Sequence, residues 1–585
     1  MDDKTRRGLQ RYLPLLLIPL GLLLYSNVLG APFVYDDEGY VAANLQITSL
    51  SNFLDFSGTR YVGFLSFALN YAAGGLVPFD FHLTNIAIHI ANALLVYALV
   101  STVFRTPAMK GAGEGGVAVL VAFTAAIIFL SHPIESQAVS YVTQRFTSLC
   151  AFFYLLAILL YANSRLAREE GKGWLARYMG SLAATVLAMK TKEISFTIPF
   201  MIVLFDLVFF GDGFRKGKWL RVPFYLTLII IPLSVLGPDI GLSVAHDTNA
   251  EHLRSLQVRD IGKLSKITYL LTEFRVVVTY LRLLFFPVNQ TLEYDYPLSQ
   301  SIFEPATLLS LIFLLSIALL GAYALFKSKK GGSHWGALFS FGIFWFFLAL
   351  SVESTIIPIQ DVIYEHRVYL PGIGIIISFT AAFFYAMDRV SSRRGREVSR
   401  AVAAAVLLII VCPVLFTTLY LRNRVWTDEM ALVTDSISKA PGKTRLYYAR
   451  GLLYLKKGGY WEALSDANEI LIREPMVAEA HNLKGVAYSG LGDHESSVRS
   501  FSTALSLNPN YEVVYLNRAI SYSATGRHKE ALNDLSRAAE VYPGFSEFMR
   551  SRTAGEAFGD LIKKCKGERL PGCKHLIPFQ QSTGY

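Results

Sequence analysis

An all-α fold in two parts, a polytopic bundle of membrane helices reaching to residue 425 and then a soluble α-solenoid, is predicted by three features of this 585-residue sequence. Apolar stretches long enough, or nearly long enough, to cross a bilayer recur as far as residue 421 and then stop. Basic residues gather in alternate loops between those stretches. Beyond them, prolines return at a fixed interval of 34 residues. Composition agrees: with 53% hydrophobic and 17% charged residues and a mean hydropathy of +0.39, the chain carries more apolar surface than one globule can hide. A disordered chain and an ordinary soluble enzyme are both excluded, and four cysteines are too few for a disulfide scaffold.

Eleven spans are predicted, at 13–30, 83–104, 115–131, 146–163, 174–189, 194–210, 222–238, 304–326, 335–352, 370–388 and 401–421. A twelfth apolar stretch, 267–288, holds Glu273, Arg275 and Arg282 at near-helical spacing, which suits an interfacial or re-entrant helix. Loop charge decides the ambiguity. Lys4, Arg6, Arg7 and Arg11, then Arg105 with Lys110, Arg165 to Arg177, Arg215 to Arg221, Lys327 to Lys330 and Arg389 to Arg400 all fall on one side only if 267–288 does not span. The net charge of +10 is therefore a topology signal rather than a nucleic-acid footprint. Eleven crossings that start in the cytoplasm place the tail outside it, in a periplasm or an ER lumen. The competing reading of the N-terminus is a cleavable signal peptide ending near Gly30-Ala31.

The tail carries Pro441, Pro475, Pro509 and Pro543, each 34 residues from the next, the period of tetratricopeptide helix pairs. Gly451, Gly485 and Ala519 occupy the small position of the first helix, and Tyr454, Tyr488 and Tyr522 follow three residues on. Gly458, Gly492 and Gly526 fall in the turns; Ala463 and Ala531, with Ala504 and Ala538, are small positions of the second helices. The predicted organisation is a membrane domain at 1–425, three repeats with a degenerate leading helix at 426–543, and a cap at 544–585. Cys565 and Cys573, eight apart in the cap on the side predicted to be oxidising, suit a short-loop disulfide, with two free thiols as the alternative. Cys150 and Cys412 read as small apolar core residues.

Ionisable groups at membrane level cost roughly 2.5–3.5 kcal/mol each on insertion scales, which makes them functional candidates. Asp36, Asp37 and Glu38, His132 and Glu135, Arg145, Lys190, Lys192 and Glu193, Asp295, and the group Glu353, Asp361, Glu365, His366 and Arg367 all fall on the non-cytoplasmic side by this topology. Acids and bases from separate loops converge there, which suits chemistry on a lipid-borne substrate. Each has a plainer reading: solvated loop carboxylates for Asp36-Asp37, a local ion pair for Lys192-Glu193, headgroup anchoring for Glu365-His366-Arg367, and helix–helix hydrogen bonds for His82, Asn85 and His89. No zinc spacing, phosphate-cradling glycine loop or nucleophile elbow occurs, which argues against ATPase, protease and lipase readings.

Phe33-Val34-Tyr35-Asp36-Asp37, Leu69-Asn70-Tyr71, Pro78-Phe79-Asp80-Phe81-His82-Leu83-Thr84-Asn85, His132-Pro133, Lys192-Glu193 and Glu365-His366-Arg367-Val368-Tyr369-Leu370-Pro371, in that order, resemble the transmembrane-and-TPR O-mannosyltransferases and their bacterial relatives, from about residue 12 to 543. The resemblance implies a GT-C glycosyltransferase, a hexosyltransferase that moves mannose or another hexose from a polyprenyl-phosphate carrier to a protein Ser/Thr or glycan acceptor outside the cytosol. It implies Asp36 as the base that takes the acceptor's proton. Asp37 would orient the acceptor or help hold a divalent ion such as Mg or Mn, if one is used. Arg145, Lys192, His366 and Arg367 would offset charge on the leaving phosphate. Glu193 and Glu365, with His132, would support them. A single displacement inverts the anomeric centre. The repeats would present a protein acceptor's segment or dock an assembly partner.

The residues leave two further classes open: a membrane-tethered scaffold for envelope assembly, and a flippase or transporter for a polyprenyl-linked glycan. The one-sided distribution of polar residues argues against the latter.

Overall fold

The computed structural model describes residues 12–56, 58–211, 218–236, 265–355, 357–359, 361–394 and 400–541. Among them lie 22 α-helices, in two compact units that divide at Leu432 and Val433.

In the first unit, α1 (Leu17–Leu24) is extended by 3-10 turns at Leu13–Leu16 and Ser26–Val28. An irregular segment leads to α2 (Tyr61–Gly74), a helix not expected from the sequence, and α3 (Pro78–Val103), which starts on a proline whose missing N–H costs nothing at a first helical position. Next come α4 (Val117–Ser131), α5 (Ser136–Ser140), α6 (Arg145–Glu169), α7 (Leu175–Met189), α8 (Ile198–Phe209), α9 (Lys218–Leu226) and α10 (Ile230–Leu236). The unit continues through α11 (Lys266–Phe285), α12 (Pro305–Lys329), α13 (Trp335–Leu350), α14 (Tyr369–Arg394) and α15 (Arg400–Val425).

Among the described residues the predicted spans fall on helical segments, but these differ in length. Five helical segments are long and apolar enough to cross a bilayer: Pro78–Val103, Val142–Glu169, Pro305–Lys329, Glu365–Val390 and Arg400–Val425. A sixth is the pair Val117–Ser131 and Pro133–Ser140, bent by 50°. His132-Pro133 explains the bend, because proline cannot donate to the preceding turn while the His132 ring accepts the Ile134 N–H at 3.2 Å and caps a new start. Leu13–Val28, Leu175–Met189, Trp219–Ser234 and Trp335–Leu350 are shorter apolar helices. Hydropathy windows run across such breaks; at 194–210 the sequence is a 3-10 turn, Glu193–Thr197, followed by α8. The chain is a multi-pass membrane protein.

Small residues let the helices approach closely. A Cβ on Gly342 of α13 would collide with the carbonyl of Gly374 in α14, so the two backbones touch there. A buried cluster that includes Tyr269, Val276, Tyr280, Phe346, Ile363 and Val368 binds α11, α13 and the start of α14 together. The candidate disulfide partners Cys565 and Cys573, and the whole predicted cap, lie outside the described residues.

The second unit contains most of α16 (Glu429–Lys439), the predicted leading helix, followed by three helix pairs: α17 (Thr444–Lys456) with α18 (Tyr460–Arg473), α19 (Ala478–Gly490) with α20 (His494–Leu507), and α21 (Glu512–Ala524) with α22 (His528–Val541). First helices begin at 444, 478 and 512, in step with the prolines. Gly458, Gly492 and Gly526 have φ of +78, +81 and +75°, the left-handed turn that favours glycine. Gly485 abuts the Phe501 ring and Gly451 abuts Leu483, as close helix packing requires.

Gly342→Ala is expected to destabilise the protein by about 1–3 kcal/mol through overpacking. Gly30→Ala, whose added methyl meets nothing within 4 Å, should not. Thermal unfolding of the purified full chain in one detergent separates the two.

Candidate active site

The acidic loop is built by its neighbours. Tyr35 adopts a left-handed backbone, φ 55°, which is unfavourable for a residue with a Cβ. It is held there on both sides. Its hydroxyl donates to Glu293, and the N–H of Asp36 donates to the Tyr141 hydroxyl at 2.9 Å. His82 fixes the start of the loop through the Ala31 carbonyl at 3.2 Å.

This backbone sends the two aspartates different ways. Asp37 is fully buried. One carboxylate oxygen accepts the Thr143 N–H at 2.7 Å and the Thr143 hydroxyl; the other accepts the Val34 N–H at 3.2 Å. It therefore pins the loop to the start of the helix Val142–Glu169, where backbone N–H groups and the helix dipole favour an anion. Burial, countered in part by the bonds from Thr143 and Val34 and reinforced by the neighbouring Asp36 carboxylate, raises the Asp37 carboxyl from an ordinary 3.8 to about 7. Asp36 is only half-buried.

Four residues along the same helix, Thr147 accepts from Lys192 Nζ at 3.0 Å. The acid loop and the lysine loop are thus anchored one turn apart, about 6 Å along the axis. Lys192 is buried and paired with Glu353 at 2.8 Å. Glu193 does not pair with Lys192; it faces Arg60, with Nε and Nη2 at 3.3 and 3.4 Å from its two oxygens. Through the adjacent Lys192 and Glu193, the segments carrying Glu353 and Arg60 are brought together.

Arg60 and Glu353 were not assigned roles from the sequence. Glu353 stood in the list of ionisable groups on this face, and its position after α13 opposite the lysine loop was the available signal. Arg60 offered less: it is a basic residue in a loop otherwise marked by acids, placed by its left-handed backbone, φ 53°, at the start of α2.

Two expected roles, those of Arg145 and Glu365, need correction. Arg145 does not face a ligand. It is fully buried, and its guanidinium donates to Asn85 Oδ1 at 2.7 Å, Asn70 Oδ1 at 2.5 Å, the Ser66 carbonyl at 3.2 Å and the Phe81 carbonyl at 2.9 Å, over the Phe67 ring. It ties α2, α3 and α6 together. Arg367 spends two nitrogens on the carbonyls of Asp361 and Val362, at 2.7 and 3.1 Å, and lies over Tyr364, so it shapes the loop before α14. Glu365 holds no cation: its oxygens accept the Thr291 N–H, the Tyr294 hydroxyl and Gln290 Nε2 at 2.7–2.8 Å.

His132 is a brace, with Nδ1 capping Ile134 and Nε2 on the Leu284 carbonyl at 2.9 Å. His366 has a defined tautomer. Gln137 Nε2 donates to the Leu292 carbonyl, so Gln137 Oε1 is the acceptor, taking the His366 backbone N–H at 2.8 Å and Nδ1–H at 3.1 Å. The His366 Nε2 lone pair is then an acceptor, and the ring meets an anion only as imidazolium.

Among the described residues no three His, Cys, Asp or Glu side chains gather as a metal set, and both Asp37 oxygens already serve Thr143 and Val34.

A loop with two carboxylates and a loop with a buried lysine are thus tied to one helix, in a polytopic α-helical membrane unit followed in the chain by helix-pair repeats. The tetratricopeptide repeat family matches residues 478–511. Over 209 residues the chain is 32% identical to Protein O-mannosyl-transferase Tmtc1 of Drosophila melanogaster, covering 32% of this chain and 22% of that protein. It is 30% identical over 210 residues to Protein O-mannosyl-transferase TMTC2 of Homo sapiens, covering 33% and 23%. With Protein O-mannosyl-transferase F38B6.6 of Caenorhabditis elegans it is 23% identical over 477 residues, covering 77% and 62%. The chain thus spans less than two thirds of the length of these relatives. A solved structure titled MamA AMB-1 is 25% identical and covers 27% of this chain and 98% of its own, with a TM-score of 0.19, too low to support any inference.

Because the folded Asp37 carboxyl releases its proton near 7 and the unfolded one near 3.8, the stability it contributes is full below about pH 4 and is lost as pH rises through about 7. Asp37→Asn should remove that slope, read as the difference in thermal midpoint between pH 5 and pH 8. The same variant should lose about 1 kcal/mol at pH 5, because the new amide turns a donor toward the Val34 N–H. Asp36→Asn removes only the smallest of the causes that raise Asp37, so it should keep most of the slope and leave the pH 5 reading unchanged.

Arg145→Met should lower the yield of folded protein and its thermal midpoint. A phosphate-binding role would instead raise KM for the donor with the fold intact.

Proposed function

We propose that this protein is a polyprenyl-phosphate-sugar-dependent glycosyltransferase acting on a protein or glycan acceptor at the extracytoplasmic face of a membrane. The observation that carries this reading is the shared anchorage of Asp36's loop and Lys192 on successive Thr143 and Thr147. It ties the loop that carries Asp36 and the loop that carries Lys192 to one helix, one turn apart. The names of the relatives support protein O-mannosyl transfer, and the sequence's loop charges support the side.

The chemistry follows from the residues. An acceptor hydroxyl is a poor nucleophile near neutral pH, so the half-buried Asp36 carboxylate takes its proton as oxygen bonds to the anomeric carbon. The bond from that carbon to the phosphate oxygen breaks in the same step, and its electron pair leaves with the polyprenyl phosphate. One displacement inverts the centre. Charge gathering on the leaving oxygen is met by Lys192, held in place by Glu353 and Thr147, and by Arg60, held by Glu193. Arg367, Glu365, His132 and Arg145 hold the surrounding loops and helices in place. Asp37 fixes the angle at which Asp36 is presented. No step is routed through a metal ion.

The test is transfer of radiolabelled mannose from polyprenyl-phosphate mannose to Ser/Thr peptides by membranes containing the full chain. Asp36→Asn should lower kcat by at least about 100-fold, the usual contribution of a general base, while insertion and thermal midpoint stay as in the wild type. Lys192→Gln should mainly depress kcat as well, since leaving-group charge develops only in the transition state. Undiminished transfer by Asp36→Asn would remove this aspartate from the chemistry, and failure of the wild type to transfer any hexose from such donors would overturn the reading.

A further inference from the structure

Far from the acid loop, the ends of α12 and α14 and the start of α13 enclose a cavity of about 310 Å³. Leu320, Phe339 and Trp335 line its apolar part, with Lys327 and Arg389 at one end. Among the described residues that line it there is no carboxylate. Asp388, the acid next to Arg389, is turned to Trp335 Nε1 and Arg400, each at 2.8 Å. The two cations rest on aromatic rings: Lys327 lies 5.8 Å from the centre of Tyr323, and Arg389 lies over Tyr385 and donates Nε to its hydroxyl at 3.0 Å.

The groove opens sideways. Only 11% of the apolar window of α12 is buried inside the protein, and Leu320 and Tyr323 are more than half exposed on it. An occupant enters from the bilayer, so it is an amphiphile rather than a soluble anion. Position separates it from the sugar donor: Arg389 and Arg367 sit 22 residues apart on one helical segment, about 33 Å and so a full hydrocarbon thickness.

We propose that this groove is a binding site for an anionic glycerophospholipid, with its phosphate between Lys327 and Arg389 and an acyl chain along Leu320 and Phe339. Lipid sites built from basic residues and aromatics at helix ends follow the same physics as other juxtamembrane lipid contacts. The site is independent of the transferase reading and stands if that reading fails.

The test uses the purified full chain, exchanged into neutral detergent and offered equal phosphatidylglycerol and phosphatidylcholine, with bound lipid counted by native mass spectrometry. The wild type should retain phosphatidylglycerol preferentially. Lys327→Gln with Arg389→Gln should cut that preference by about 30-fold, at roughly fivefold per cation. Leu320→Trp, which keeps both charges and fills the groove, should reduce phosphatidylglycerol retention with an unchanged thermal midpoint in phosphatidylcholine. An unaltered preference in the charge variant, or displacement of the lipid by millimolar glycerol phosphate as readily as by a second phosphatidylglycerol, would contradict a lipid site.

Discussion

Two threonines one turn apart at the start of the helix Val142–Glu169 carry the arrangement of this membrane unit. Thr143 receives the Asp37 carboxylate and Thr147 receives the Lys192 ammonium. A helix end is rigid and its exposed N–H groups favour anions, so it makes a firmer reference point than any loop. From it the acid loop, the lysine loop and the Glu353 segment take their positions. Gln137 and Tyr141, just before the same helix, add the His366 and Asp36 backbones to the same frame.

The energetics of the unit fit that design. Charges buried in a membrane protein are costly unless paired, and breaking one partner costs more than the pair returns. Here Lys192 has Glu353 and Arg145 has four oxygens, while on α6 Arg165 shares Asp206 with Arg221 and Tyr161. Such ties contribute registry more than net stability: they work at one helix register only. The strained backbone of Tyr35 persists because Glu293, Tyr141 and Asp37's bonds all hold it. The Asp36 backbone is placed by its neighbours, through Tyr141 and through the bonds that Asp37 makes to Thr143 and Val34.

Much of this was legible in the sequence, for reasons that also mark the limits. The 34-residue proline spacing and the turn glycines gave the repeats to within a residue or two, because a left-handed turn leaves glycine as the favoured choice. Among the described residues the apolar stretches coincide with helices but do not give their lengths, since hydropathy does not register a 3-10 turn at Glu193–Thr197 or the bend at Pro133. The short helix Tyr61–Gly74 was missed because Asn70, Gly63 and Gly74 interrupt its apolar face. The motifs mark segments that carry buried charged residues but not the individual jobs of those residues. Arg145, Arg367 and Glu365 are charged and near the site, yet their hydrogen bonds point inward to carbonyls and amides. Direction depends on rotamer and partner, and no spacing rule reports it. Arg60 and Glu353 acquire meaning only when their partners, distant in sequence, are brought beside them.

The claim on which the rest depends is that the acid loop and the cation-bearing loops emerge on one face of the membrane. Thiol labelling tests it most directly. In sealed vesicles of known orientation, in a background with the four native cysteines replaced, single cysteines at the exposed positions Leu54 and Ile357 should react with an impermeant maleimide from the same side. A cysteine at the exposed Lys330 should react only from the other. Labelling of Leu54→Cys and Ile357→Cys from opposite sides would contradict the account, since Asp36 and Lys192 could not then share a site.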